Sequence, residues 1–227
     1  GQVMKCAIGG CGGAPTVLAS GQSTPEGLAV DATSVYWANR GAGTSDGQIV
    51  KCALDGCNGS PTVLASGQSD PWSVAVDGTA VYWTTTNDAG QVLRCALGGC
   101  GNAPTALASG FDDPLGIAVG GSSIIWTTQG GGQVMTCAAG GCGGAPTTLA
   151  SAQLGPTGIA LGGTEVFWAD HEAAAVMRCG LAGCNGNPGT VAANQSSPTG
   201  VAADASNVYW TDYGTGAGDG VVMTSAH

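Results

Sequence analysis

Apolar residues occur along this chain in short runs, and the runs return in the same order every 42 to 46 residues. In one copy, the run "SVAVD" (73–77) is followed by a Gly-Thr turn and then by "AVYWT", which is rich in β-branched and aromatic residues. The segments "GQVLRC" and "TALAS" come next, joined by a glycine-rich hairpin. Runs of this length and composition predict four β-strands per copy, and no 3.6-residue spacing indicates a helix. The pattern therefore predicts an all-β protein.

The third strand of each copy carries the clearest repeated motif. It reads "GQVMKC", "GQIVKC", "GQVLRC", "GQVMTC" and "AAVMRC", starting near residues 1, 47, 90, 132 and 174. A sixth copy without the cysteine, "GVVMTS", starts at residue 220. A period of this length is typical of one four-stranded propeller blade. Together with five copies of the first and second strands, it predicts a single domain over 1–227, a five-bladed β-propeller with an extra strand at 220–227.

The ten cysteines all fall in Cys-x4-Cys pairs within the repeats. A zinc or iron–sulfur site would need further ligands beside each pair, and neither histidine, His171 or His227, lies next to one. The spacing therefore favours five disulfides that clamp the outer hairpins: Cys6–Cys11, Cys52–Cys57, Cys95–Cys100, Cys137–Cys142 and Cys179–Cys184. Oxidised pairs indicate an export compartment, so we expect a secreted, extracellular or periplasmic protein. The chain begins within a repeat and is interpreted as a mature or trimmed form.

The second strands read "VYWAN", "VYWTT", "IIWTT", "VFWAD" and "VYWTD", each preceded by a segment such as "PEGLAVD" or "PTGVAAD". This pattern resembles the YWTD propellers of lipoprotein-receptor ectodomains and related bacterial secreted propeller repeats. The resemblance implies that the aromatic residues pack between neighbouring blades, so that five tryptophans are core residues: Trp37, Trp83, Trp126, Trp168 and Trp210. Only Asp170 and Asp212 match the family's structural Asp, since Asn39, Thr85 and Thr128 replace it elsewhere. The family usually has six blades, whereas the five copies here predict five.

Closure of the propeller is left open by the sequence, because residues 1–6 and 220–225 are both third strands. In the simplest arrangement the N-terminal hairpin completes the last blade, and the C-terminal strand is displaced or adds at an edge. In a second, one copy pairs with another molecule by strand addition. In a third, the natural chain continues into more repeats.

The formal net charge of −10, with only five Lys and Arg residues, argues against a nucleic-acid partner, and no apolar run is long enough to span a membrane. Loops that enter the first strand or follow the second should share one face and form an acidic rim. This predicted acidic loop face holds ten carboxylates: Glu26, Asp46, Asp70, Asp88, Asp112, Asp113, Asp170, Glu172, Asp212 and Asp219. It suits either a binding surface, with calcium as the predicted cation, or a solvated rim that maintains solubility.

Individual candidates for ligand contact lie on the same face. Trp72 is the one tryptophan outside the repeated position, and it could stack on a ligand or plug the central channel. Asp170, His171 and Glu172 bring an imidazole beside carboxylates, as a surface loop or as a metal or acid–base site. Asp112, Asp113 and Asp212 complete the candidate set. Asn58 and Asn194 match the glycosylation acceptor pattern.

Three functions follow from these features. The first is a non-enzymatic secreted module that binds a protein or glycan through the acidic loop face. The second is an extracellular structural or filament-forming subunit that assembles by strand exchange through its redundant terminal strand. The third is a carbohydrate-active enzyme, which needs two carboxylates at a defined separation. Near-identical repeats, with no distinguished catalytic pocket, favour the first.

Overall fold

The computed structural model describes residues 1–87, 89–216 and 218–227, and every regular element in these ranges is a β-strand. The strands form antiparallel sheets in chain order. No helix in the described ranges is long and apolar enough to cross a membrane. Asp88, one of the acids predicted for the loop face, lies outside the described residues.

Six sheets follow one another along the chain, and each is named here by its place. Sheet N has two strands: β1 (Gln2–Lys5) and β2 (Thr16–Ser20). Sheet 1 has four: β3 (Pro25–Val30), β4 (Ser34–Asn39), β5 (Gly47–Ala53) and β6 (Thr62–Gln68). Sheet 2 has four: β7 (Pro71–Val76), β8 (Ala80–Thr85), β9 (Gln91–Ala96) and β10 (Thr105–Ser109).

The second half of the chain repeats this order. Sheet 3 has four strands: β11 (Pro114–Gly120), β12 (Ser123–Thr128), β13 (Gln133–Ala138) and β14 (Thr147–Ala150). Sheet 4 has four: β15 (Pro156–Gly162), β16 (Glu165–Asp170), β17 (Ala175–Gly180) and β18 (Gly189–Ala193). Sheet 5 has three: β19 (Pro198–Ala203), β20 (Asn207–Asp212) and β21 (Val221–Ala226). The predicted all-β class and repeated four-stranded antiparallel sheets are confirmed, while the number of blades in a closed propeller stays a prediction.

By its internal contacts the chain divides into two compact units. Unit 1 comprises Gly1–Asp88 and Val92–Ala106, and unit 2 comprises Ala89–Gln91 and Leu107–His227. Unit 1 thus contains sheets N and 1 and most of sheet 2, whereas unit 2 contains sheets 3, 4 and 5.

Proline begins the first strand of every sheet from 1 to 5, as the sequence predicts. At this position the missing N–H removes no ladder bond. The residue before the proline has a positive φ in each case, for example 54° at Asp70 and 49° at Asp113. The chain therefore turns sharply just before each first strand and places the preceding side chain at the end of the sheet.

Within each unit, consecutive sheets bury apolar residues against each other. We call the face that meets the next sheet the forward face and the face that meets the preceding sheet the rear face. In unit 1, Tyr36 and Ile49 on the forward face of sheet 1 pack with Val74 and Trp83 on the rear face of sheet 2. In unit 2, equivalent clusters join sheet 3 to sheet 4 and sheet 4 to sheet 5. All five repeated tryptophans are buried, as the resemblance implies.

Four of the five tryptophans share a hydrogen bond that the sequence analysis did not anticipate. Each indole N–H donates to the Oε1 atom of a glutamine fifteen residues earlier, in the pairs Trp37–Gln22, Trp83–Gln68, Trp168–Gln153 and Trp210–Gln195. At the fifth position Phe111 replaces the glutamine. Its ring lies edge-to-face at 5.4 Å from that of Trp126, whose indole nitrogen has no hydrogen-bond partner.

All five predicted disulfides are present, and the described residues include no free cysteine. Four of them do more than clamp a hairpin, because they contact an outer-strand carbonyl of the preceding sheet. Cys57 Sγ lies 3.4 Å from Leu18 O, and Cys184 Sγ lies 3.4 Å from Leu149 O. The disulfides are therefore part of the packing between sheets as well as hairpin clamps.

Of the arrangements that the sequence leaves open, the first, in which the N-terminal hairpin completes the last blade, is not seen among the strands described. β1 and β2 form a sheet of their own, and β21 takes the third position beside β20, with six paired residues from Asn207–Ala226 to Asp212–Val221. The physical reason is chain connectivity: β21 follows β20 through a short loop, so the entropic cost of bringing these strands together is small.

Candidate functional site

A charged cluster centred on Arg40 lies where the loops of sheets 1 and 2 meet in unit 1. Arg40 directly follows β4, and Asp70 directly precedes β7. The Nε atom of Arg40 donates to Asp70 Oδ1, and Nη2 donates to Oδ2 at 3.0 Å. Thr86 Oγ1 also donates to Asp70 Oδ2, at 2.7 Å. The bond from Arg40 is the main cause that holds the pKa of Asp70 below its usual range. This two-point pairing fixes the plane of the guanidinium group.

Trp72 completes this cluster. The guanidinium carbon of Arg40 lies 4.7 Å from the centre of the Trp72 ring, within the range of a cation–π contact. On its other side, Arg40 Nη1 lies 3.9 Å from Glu26 Oε1. The cation is thus held between two carboxylates and an aromatic face. We call Glu26, Arg40, Asp70 and Trp72 the Arg40 cluster.

An open cavity of about 490 Å³ adjoins the cluster. Arg40 and Asp70 line it together with Thr24, Asn87 and the loop 41–44. The loop is held in place by Asp46, whose carboxylate accepts hydrogen bonds from the backbone N–H groups of Ala42 at 3.0 Å and Gly43 at 3.1 Å. These bonds lower the pKa of Asp46. The cavity therefore has a preformed wall and a fixed charged side.

Other predicted site residues lie in unit 2 and differ in exposure. Asp112 and Asp113, directly before β11, and Glu172, just after β16, are exposed. His171 is partly buried, and its Nδ1 atom lies 3.3 Å from the carbonyl oxygen of Pro198. The structure thus places the imidazole against the main chain of sheet 5.

Asp170 and Asp212 are buried at the ends of their strands, so they do not belong to an exposed rim. Asp212 Oδ2 accepts a hydrogen bond from the backbone N–H of Ser196 at 3.1 Å. The Oδ1 atom of each aspartate has no hydrogen-bond partner. Burial raises the pKa of Asp170, the backbone N–H of Leu154 lowers it, and the nearby charge of Glu172 raises it further.

Five described members of the predicted acidic loop face are buried or bonded within the protein. Asp46 and Asp219 hold their own loops, Asp70 pairs with Arg40, and Asp170 and Asp212 are buried. Among the described members of the predicted set, six carboxylates are exposed and Asp70 is partly buried; the exposed ones are Glu26, Asp46, Asp112, Asp113, Glu172 and Asp219. Within the described ranges, no group of three or more His, Cys, Asp or Glu side chains is close enough together to hold a metal ion.

A repeated Asp–Tyr pair at the opposite ends of the strands also escaped the sequence analysis. Asp31, Asp77 and Asp204 each accept a hydrogen bond at 2.8 Å from the tyrosine hydroxyl five residues later. In Asp31 the backbone N–H of Thr33 is the largest cause that lowers the pKa, to about 2. The signal was in the sequence: the two repeats with Ile125 or Phe167 instead of tyrosine carry Gly120 or Gly162 instead of aspartate. The aspartate and the tyrosine are thus present together or missing together, because each is the hydrogen-bond partner of the other.

Replacing Asp170 with asparagine is expected to stabilise the protein at neutral pH. The raised pKa means that the folded state binds the proton of this carboxyl more tightly than the unfolded state, so its contribution to stability falls as pH rises above the usual range for aspartate. We expect the Asp170→Asn variant to gain about 1 kcal/mol in free energy of unfolding at pH 7. The gain should vanish near pH 3, where the carboxyl is protonated in both states.

Thermal unfolding at both pH values measures this difference, with exposed Asp113→Asn as the matched control. The first repeat carries Asn39 at the equivalent position, where its Nδ2 atom donates to Gln22 Oε1 at 2.9 Å, so an amide fits this site. A lower melting temperature for Asp170→Asn at pH 7 would show that the ionised carboxylate stabilises the fold.

No protein-family model matches the sequence, and no curated protein matches it significantly. Solved structures, in contrast, are similar over nearly the whole chain. A chain of the nidogen/laminin complex superposes with a TM-score of 0.74 at 21% identity, covering 92% of this chain and 79% of that one.

Two further similar structures come from bacteria. A catalytically inactive virginiamycin B lyase from Staphylococcus aureus with quinupristin has a TM-score of 0.68 at 15% identity, covering 92% of this chain and 69% of that one. A calcium-binding protein, regucalcin, from Agrobacterium tumefaciens has a TM-score of 0.67 at 16% identity, covering 96% and 77%. At such low sequence identities, the structural similarity supports a shared fold and nothing more. The chain shares its fold with β-propeller proteins.

Proposed function

We propose that this protein is a secreted, non-enzymatic binding module that contacts a protein partner through the Arg40 cluster and the adjoining cavity. The observation that carries the proposal is the fixed arrangement of Arg40, Asp70 and Trp72 beside an open cavity. Loops on a rigid β scaffold commonly carry binding, and Arg and Trp are enriched among the residues that dominate interface affinity. Five disulfides suit an oxidising compartment outside the cytosol.

The charge of the surface selects the kind of partner. The Arg40 cluster contains two carboxylates and one guanidinium group, and the chain as a whole carries a formal charge of −10. A basic protein surface complements this field, and exposed Glu26, which makes only a long 3.9 Å contact with Arg40, can pair with it. A structural neighbour is known from a complex of two proteins, nidogen and laminin, which supports protein binding as a use of this fold.

The two histidines support a non-enzymatic reading. The Nδ1 atom of His171 lies 3.3 Å from the carbonyl oxygen of Pro198. The Nε2 atom of His227 lies 3.1 Å from the carbonyl oxygen of Asp204, and its ring packs at 4.7 Å from that of Phe167. Both imidazoles thus have main-chain partners that account for their positions without a catalytic role.

Calcium binding stays a prediction. Regucalcin, a structural neighbour, is described as a calcium-binding protein, whereas the described residues of this chain bring no three potential ligands together. Titration calorimetry with calcium chloride tests the prediction, and an absence of heat together with an unchanged melting temperature would contradict it.

Surface plasmon resonance against immobilised lysine- and arginine-rich peptides, with a neutral peptide of equal length as reference, tests the binding proposal. We expect binding to the basic peptides that weakens with salt. Trp72→Ala and Glu26→Gln should each reduce the affinity about tenfold, which corresponds to about 1.4 kcal/mol.

Asp55→Asn is the matched control, because Asp55 is an exposed acid in the cysteine hairpin at the other end of the strands. If Asp55→Asn weakens binding as much as Glu26→Gln, the interaction is a general charge effect and the assigned site is wrong. If wild-type protein binds none of the basic peptides, the proposed partner class is wrong.

A further inference from the structure

Forward faces of the inner strands are built for close contact with the next sheet. A Cβ atom placed on Gly116 would lie 2.4 Å from the carbonyl oxygen of Thr157, and one on Gly158 would lie 2.2 Å from that of Thr199. A side-chain bond accompanies this approach in sheet 3, where Thr127 Oγ1 donates to Thr157 O at 2.6 Å. This joint between consecutive sheets thus combines close backbone contact with a hydrogen bond from a threonine to the first strand of the next sheet.

Sheet 5 carries the same features on its forward face, but there they are exposed. Gly200 and Thr211 occupy the positions of Gly158 and Thr127, and both are solvent-exposed, as is Ala202. A Cβ atom on Gly200 would approach only Thr211 Oγ1, at 3.1 Å. An apolar groove of about 290 Å³ runs over this face, lined by these residues with Val201, Tyr209, Trp210 and Val222.

The complementary surface is exposed on the rear face of sheet 1. Leu28 and Val30 on β3 are 57% and 54% exposed. Their counterparts are covered: Ile159, at the position of Leu28, is 8% exposed and packs with Ile125 and Val134 of the preceding sheet. Sheet N covers only the outer part of the rear face of sheet 1, because it has no first or second strand.

We propose that copies of this chain associate head to tail, with the forward face of sheet 5 in one copy covering Leu28 and Val30 of the next. The two exposed surfaces are the two halves of the joint that the chain makes between its own consecutive sheets. By analogy with Thr127 and Thr157, Thr211 Oγ1 donates to the carbonyl oxygen of Glu26 in the second copy. This joint uses the main chain of Glu26 and not its carboxylate, so it does not depend on binding at the Arg40 cluster.

β1 of the second copy and β21 of the first are both third strands, and in the joint they would occupy the same position. One of them must therefore leave that position for the joint to form. β21 is the strand that yields. Its residues are almost all exposed, with Val222 at 73%, so apart from the packing of His227 on the Phe167 ring its departure from β20 uncovers little apolar surface. Val222 leaves the groove with it, while the other six lining residues remain on β19 and β20. β1 is held by the buried Val3 and by the hairpin that the Cys6–Cys11 disulfide closes. The edge of β20 then pairs with β1, as β4 pairs with β5 within sheet 1. Because the two surfaces differ, such a joint is heterologous and lengthens into an open chain.

Light scattering after size exclusion, from about 1 μM to several hundred μM, tests the proposal. We expect the wild-type mass to rise with concentration through dimers to larger species. Gly200→Val blocks the forward face, and Leu28→Asp places a charge on the rear face. Because both positions are exposed, each variant should fold as the wild type does, which circular dichroism and melting check, and each should stay monomeric alone.

Mixing the two variants gives the decisive measurement. The Leu28→Asp chain keeps an unaltered forward face on sheet 5, and the Gly200→Val chain keeps an unaltered rear face on sheet 1. An equimolar mixture should therefore form a dimer and nothing larger. A wild-type monomer at all concentrations, association of either single variant, or a mixture that stays monomeric would each overturn the proposal. Deleting residues 220–227 should preserve association, and loss of association would contradict the role assigned to β21.

Discussion

Gly158→Ala is expected to lower the free energy of unfolding by about 3 kcal/mol. The new Cβ atom would lie 2.2 Å from Thr199 O, 2.9 Å from Gly200 Cα and 2.9 Å from Val201 N. All three are backbone atoms of sheet 5, so no side chain can rotate away, and sheets 4 and 5 must separate. Overpacking of this kind costs about 1–3 kcal/mol or more in well-packed interiors.

Gly200→Ala is the matched control for this variant. The same substitution in the equivalent strand position meets only Thr211 Oγ1 at 3.1 Å, a side-chain atom that can move. We expect a change within about 0.5 kcal/mol, as for other exposed positions. Chemical denaturation at low micromolar concentration, where the proposed association is weakest, compares the two. If Gly158→Ala lowers the free energy of unfolding no more than Gly200→Ala does, the contact between sheets 4 and 5 is looser than these distances indicate.

Removing the Cys95–Cys100 disulfide should cost about 4 kcal/mol, whereas removing Cys6–Cys11 should cost about 2 kcal/mol. Both bridges close loops of the same length, and chain entropy alone accounts for about 2 kcal/mol in each case. Cys95 is buried and Cys100 Sγ lies 3.6 Å from Leu64 O of the preceding sheet, so its removal also opens the packing between sheets 1 and 2. Cys6 is exposed, so its removal opens no such packing.

Double alanine variants of each pair, unfolded by denaturant without reductant, provide the measurement. The wild type under full reduction is a further reference, since all five bridges are then lost together. Similar losses for the two double variants would mean that the disulfides act through chain entropy alone and that their contacts between sheets contribute nothing.

Much of the architecture could be predicted from short stretches of sequence. The runs "AVYWT" and "GQVLRC" specify strands because β-branched and aromatic residues suit a buried pleated surface over five or six positions. The Cys-x4-Cys spacing specifies a local bridge because its two ends are already close in a hairpin. The glutamine–tryptophan and aspartate–tyrosine bonds were also within reach, since "SGQS" and "VD" recur with the aromatic residues that they serve.

The candidate site depended on contacts between residues far apart in the chain. Arg40 and Asp70 are thirty residues apart, and their pairing follows from the packing of sheet 1 against sheet 2. The same packing places the guanidinium group over Trp72, where the sequence analysis considered a free stacking surface or a channel plug. Burial of Asp170 and Asp212 likewise depends on neighbouring loops, so counting acids overestimated the exposed charge.

The segments "PTGIA" at 156–160 and "PTGVA" at 198–202 separate the two kinds of information most clearly. Sequence by itself determined that both are first strands that begin at proline, because the proline, the glycine and the apolar alternation act within a few residues. Only the tertiary structure decided that Gly158 is pressed against the backbone of the next sheet while Gly200 faces solvent. The physical reason is that local sequence sets the conformation of a strand, whereas its surroundings depend on the sheet that packs against it, and for Gly158 that is sheet 5.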